Sequence, residues 1–74
     1  MSPRTKVQFE EIRQKSRENI ENIALELFAI KGYHATSISQ ISEKAGISKG
    51  LLYNYYKSKE HLLDSVIMKV YDEI

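Results

Sequence analysis

The segment Lys49-Gly50-Leu51-Leu52-Tyr53-Asn54-Tyr55-Tyr56 gathers side chains suited to a polyanion and to the base edges it carries. An asparagine amide pairs bidentately with adenine, a lysine ammonium reaches guanine or a phosphate oxygen, and an aliphatic side chain packs on a thymine methyl. Asn54, Lys49 and Leu51 supply these three groups, and tyrosine hydroxyls at 53 and 55 suit phosphate oxygens. At ~100° per residue, Leu52 and Tyr56 fall on one side of a helix. Gly50 and Asn54 fall opposite, flanked by Leu51 and Tyr53. An outward glycine costs about 1 kcal/mol of helix propensity against alanine, which is reasonable where another backbone must approach. A plainer reading of the same residues makes Gly50 a tolerated first-turn glycine and the tyrosines packing groups with wet tips. That reading suits Tyr56 and not Tyr53.

Other chemistries find no residues. His34 and His61 are the only histidines and sit in different elements, and His61 with Asp64 makes two ligands at most, too few for a zinc site. With no cysteine there is no thiolate site, and no glycine-rich phosphate loop or nucleophile elbow occurs. At 74 residues the chain has no room for an enzyme of ordinary architecture, so the expectation is no catalysis and no cofactor. A formal net charge of +1 hides an uneven layout. From Lys31 to Lys59 five lysines face one acid, a local +4, and the remainder carries −3. Before Glu18, Arg4, Lys6, Arg13, Lys15 and Arg17 outnumber Glu10 and Glu11. A basic patch on a near-neutral protein suits phosphate binding, although lysines on a solvated face give the same count. The longest apolar stretch, Ile23 to Ile30, is interrupted by Glu26 and far short of a bilayer span. The N-terminus lacks the apolar core of a signal peptide, and the expectation is a cytoplasmic protein with no membrane partner.

Four helices must position these groups. Residues 1–8 read as a flexible basic arm containing the only proline, Pro3. From about Phe9 a helix runs to Lys31, with Ile20, Ile23, Ala24, Leu27 and Phe28 as its buried stripe. Gly32 ends it. Ser37-x-x-Gln40 has the capping-box form, and helix two follows over about 37–45, with Ile38, Ile41 and Ala45 inward. Gly46 stops that helix, and Ser48 caps a third over about 49–56, so the connection is a turn of about three residues. Ser42 permits close packing at this turn, and Ile47 and Leu52 plug the core. Lys57-Ser58-Lys59 makes a polar break before a last helix whose double stripe is Leu62, Leu63, Val66, Ile67, Val70, Tyr71 and Ile74. The fold class expected is all-α, a three-helix homeodomain-like helix-turn-helix bundle over residues 9–60. Residues 61–74 form a fourth helix leading toward a domain outside this sequence.

Taken together, Gly32-Tyr33, Ala35-Thr36-Ser37-Ile38, Ile41, Ala45-Gly46-Ile47-Ser48-Lys49-Gly50, Leu52-Tyr53, Tyr56 and Lys57-Ser58-Lys59-Glu60-His61-Leu62-Leu63 resemble the DNA-binding domain of TetR-family transcriptional repressors. The resemblance covers roughly Arg17 to Ile74. It implies a homodimeric regulator that binds a double-stranded DNA operator, with a larger helical domain that dimerises and takes a small-molecule effector. Residue by residue, it implies phosphate contacts for Thr36 and Ser37 and contacts at the start of the recognition helix for Lys49, Gly50 and Tyr53. Tyr55 stands where the family often has a phosphate-binding histidine, and Lys59 matches a backbone-binding lysine. Leu51 departs from the small or polar residue usual there. The full DNA-facing set expected is Thr36, Ser37, Ser48, Lys49, Gly50, Leu51, Tyr53, Asn54, Tyr55, Lys57 and Lys59. Two other readings stay open: a DNA-binding module of a recombinase-type enzyme, and a helical protein-interaction module whose lysines only solubilise.

Overall fold

A computed structural model describes residues 6–72. It contains four helices, α1 (Lys6–Lys31), α2 (Ile38–Ala45), α3 (Lys49–Tyr55) and α4 (Lys59–Asp72), and no strand among the described residues. The all-α expectation therefore holds. Two boundaries move. Helix α1 starts at Lys6 rather than near Phe9, so the last three residues of the expected arm are helical, and residues 1–5 lie outside the described residues. Helix α4 starts at Lys59, one residue after its cap Ser58, whose hydroxyl accepts the His61 amide at 3.0 Å.

The stops and caps follow from local chemistry. Gly32 takes φ +95° and donates its amide to the Phe28 carbonyl at 2.9 Å, closing α1 in the left-handed region that only glycine enters without penalty. Gly46, at φ +74°, closes α2 in a Schellman arrangement: its amide reaches Glu43 O at 3.1 Å, and the next amide, Ile47, reaches Ser42 O at 3.0 Å. The Ser37 hydroxyl accepts the Gln40 amide at 3.1 Å, while Gln40 Oε1 accepts the Ser37 amide at 3.0 Å, so the capping box is complete. The Ser48 hydroxyl accepts the Leu51 amide at 3.0 Å and starts α3 only three residues after α2 ends.

Seven buried side chains form the core: Ile20 and Ala24 from α1, Ile41 from α2, Leu52 and Tyr56 from α3 and its cap, Leu62 and Val66 from α4. Each fully buried large aliphatic group contributes about 1.5 to 3 kcal/mol. Ile23, Leu27, Phe28, Ile38, Ala45, Ile47 and Tyr55 pack around them. Ser42 is buried as well, and its hydroxyl donates to Ser39 O at 3.0 Å, leaving α2 narrow where α3 folds back. Of its expected double stripe, helix α4 buries Leu62 and Val66 and covers Leu63 in part, whereas Ile67, Val70 and Tyr71 are exposed; Ile74 lies outside the described residues.

Tyr56 locks α3 to α1. Its ring is almost fully buried and its hydroxyl donates to Glu21 Oε2 at 2.6 Å. Burial, reinforced by that carboxylate, pushes the phenol far above the ordinary tyrosine value. The packing role expected of Tyr56 is the one observed.

Candidate nucleic-acid interface

Burying Leu52 and Tyr56 fixes the rotation of α3 about its axis, and the opposite face is left to solvent. Lys49, Gly50, Leu51, Tyr53 and Asn54 are all exposed, with Leu51 at 42% and Tyr53 at 43% of their maximum areas. Among the described residues the side chains of Lys49, Tyr53 and Asn54 are committed to no hydrogen bond or ion pair. A Cβ built on Gly50 would meet only the Ser48 hydroxyl, at 3.9 Å. The interior of the protein therefore places no demand on glycine at this position.

Ser37 and Ser48 are exposed at the first turns of α2 and α3. Each hydroxyl acts as an acceptor in its cap, so its own proton is still available to a second acceptor. Lys57 is exposed, and its backbone amide donates to His61 Nδ1 at 3.0 Å. His61 is therefore more than a solvated first-turn residue, since its ring also meets Tyr56 edge-on at 5.5 Å between centroids. Among the described residues no group of three or more His, Asp or Glu side chains could hold a metal ion.

Two expected members of the DNA-facing set prove to be turned into the fold. Thr36 is 1% exposed, and its hydroxyl lies 2.8 Å from Gly32 O and 3.2 Å from Leu27 O, spending its only proton on carbonyls in the last turn of α1 and just after it. Lys59 is partly covered. Its ammonium donates to Tyr33 O at 2.8 Å and Thr36 O at 2.9 Å and sits 4.3 Å from the Tyr33 ring centroid, a cation–π distance. The ammonium thus ties the start of α4 to the α1–α2 loop. Spacing alone could not reveal this, because the carbonyls it binds lie 23 and 26 residues earlier in the chain.

Tyr55 is half-buried against the core, and its outer face meets an unexpected neighbour. The Arg13 guanidinium lies 6.0 Å from the Tyr55 ring centroid, and Arg13, Leu51, Asn54 and Tyr55 together line an open cleft of about 410 Å³. In the sequence Arg13 is only one of several bases before Glu18. No periodicity connects α1 to α3, so only tertiary structure discloses this pairing.

A short helix, a three-residue turn and a second short helix with an unencumbered polar face define a helix-turn-helix domain. The family model described as bacterial regulatory proteins, tetR family, matches residues 22–66. The chain belongs to the TetR family, and what it carries is the DNA-binding domain of a transcriptional regulator. It is 45% identical over 62 residues to the HTH-type transcriptional regulator YuxN of Bacillus subtilis, covering 84% of this chain and 21% of that protein. It is 38% identical over 56 residues to the HTH-type transcriptional regulator UidR of Escherichia coli, covering 76% and 29%. To the HTH-type transcriptional repressor KstR2 of Rhodococcus jostii it is 36% identical over 58 residues, covering 78% and 28%. The chain thus spans between a fifth and a third of the length of these curated relatives. No solved structure gives a significant match.

Proposed function

We propose that the chain reads duplex DNA by inserting α3 into the major groove, as one half of a homodimer that occupies a near-palindromic operator and represses transcription. Lys49, Leu51, Tyr53 and Asn54 face base edges, and Lys49 and Lys57, with the hydroxyls of Ser37, Ser48 and Tyr55, hold phosphates. Two copies would present their α3 helices about 34 Å apart, one turn of DNA. Dimerisation and the release of DNA by a small-molecule effector belong to sequence beyond this domain. That one relative bears the name of a repressor supports this reading of the regulatory sign.

The observation that carries the proposal is the open space at Gly50, ringed by exposed side chains that can read or hold DNA. A helix gains about 1 kcal/mol when glycine becomes alanine, and nothing inside the protein opposes that change here. A glycine kept on the open face is explained by a backbone that comes close from outside. Gly50→Ala should therefore raise the melting temperature and weaken duplex binding at least tenfold, as read by thermal denaturation and fluorescence titration of one preparation. Stabilisation with unchanged binding would refute the close approach. Random-sequence duplex titrated from low to high salt tests the wider claim: log K should fall linearly with log salt, at ~0.9 per phosphate neutralised. A protein-interaction module would show no such dependence.

A further inference from the structure

Residues 10–15 of α1 contribute nothing to the core: every one from Glu10 to Lys15 is exposed, and from there onward the first buried side chain is Ile20. Helix α1 nevertheless continues through this stretch as part of a 26-residue helix, about 39 Å long at 1.5 Å per residue. Core packing by residues 10–15 does not account for the placement of this stretch.

Arg13 and Arg17 differ in what surrounds them. Arg17 is partly covered and donates to Gln14. Arg13 makes no ion pair among the described residues, where the one bridge is Lys44 with Glu26 at 3.1 Å, and its guanidinium rests near the Tyr55 ring. An aromatic face restricts a guanidinium to few orientations and leaves the edge of its planar fork free, which is the edge that grips a phosphate bidentately. The cleft at this point is shared with Leu51 and Asn54 of α3. A strand running along that flank of α3 passes within reach of Arg13.

We infer that Arg13 is an additional DNA contact, a phosphate clamp on the strand beside Asn54 and Leu51, and that the Tyr55 ring is the positioning group that aims it. The inference rests on the proposed function and adds to it a contact from α1, outside the helix-turn-helix. It assigns the Tyr55 ring a role separate from the phosphate contact of its hydroxyl, which is uncharged and does not enter the salt slope.

The test uses the slope of log K against log salt for a random duplex, measured on the full chain and five variants. Only loss of a phosphate-bound cation flattens this slope, by ~0.9 unit per contact. Arg13→Ala should flatten it by that amount and leave the melting temperature within a few degrees of the parent. Tyr55→Phe should keep the parental slope, whereas Tyr55→Leu should flatten it as Arg13→Ala does, with no further change in the double variant. Lys49→Ala is the reference from α3. Flattening by Lys49→Ala with a parental slope for Arg13→Ala would overturn this inference alone and reduce Arg13 to a prop between α1 and α3. A parent that binds without salt dependence would overturn the proposed function and this inference together.

Discussion

Asn54 is the side chain best placed to choose among sequences, because it lies exposed in the centre of the open face of α3 and has no partner within the described residues. Replacing it by alanine should cost about 1 to 3 kcal/mol against one preferred base pair and little elsewhere, as measured by competition with single-base-pair operator variants. An equal loss across all variants would make it a backbone contact. Lys59 is expected to behave differently. Its two carbonyl bonds and its ring contact make it part of the fold, so Lys59→Met should lower stability by about 1 to 2 kcal/mol while barely altering the salt slope of binding. A slope flattened by one unit would show that its third proton still reaches a phosphate. Which residues of α3 face outward was readable from spacing, since burying Leu52 within the seven-residue helix and Tyr56 at its cap leaves little freedom for the others. Thr36 and Lys59 were not, because a threonine before a helix and a lysine in its first turn look alike in sequence whether they face DNA or a carbonyl.

The elements themselves were largely legible. Every boundary between α1 and α4 except the end of α3 is set by a local rule: glycine at positive φ after α1 and α2, and serine caps before α2, α3 and α4. What local rules do not encode is how α3 is held against α1, a link 35 residues long in sequence made by Tyr56 and Glu21. This link gives a pH signature. The folded chain holds the Tyr56 proton more tightly than the unfolded chain does, so its contribution to stability is complete below the ordinary tyrosine value of about 10 and is lost as pH rises beyond it. Tyr33 is shifted in the same direction, by burial and then by the carboxylates of Glu60 and Asp64. Denaturation between pH 9 and pH 11.5 should show falling stability, with a shallower fall in Tyr56→Phe. Identical slopes in parent and variant would disprove the coupling.

In the molecule as a whole, a small core sits on one side of α4 and an apolar surface on the other. Leu62 and Val66 are buried, whereas Ile67, Met68, Val70 and Tyr71 are exposed. Val66→Ala should therefore cost about 2 kcal/mol in chemical denaturation, and Tyr71→Ser should stay within about 0.5 kcal/mol of the parent. A comparable loss from both would mean that the outer side of α4 is packed in solution. No helix among the described residues is long and apolar enough to cross a membrane. The double stripe of α4 was visible in sequence, but which half faces inward depends on where α1 lies, and that is a property of the assembled bundle.

The ammonium of Lys59 rests on the same short loop that delivers the chain into the Ser37 cap. These bonds tolerate only a few tenths of an ångström of stretch before they fail. A pull on the first turn of α4 must therefore drag the loop along or tear it loose, and in either case the strain arrives at the doorstep of α2, by a route that bypasses the Tyr56 lock on α3. Helix α2 is moored to α1 as well, through Ile41 in the core and the Lys44–Glu26 pair, so a tug reaching its first turn through the loop works against that anchorage.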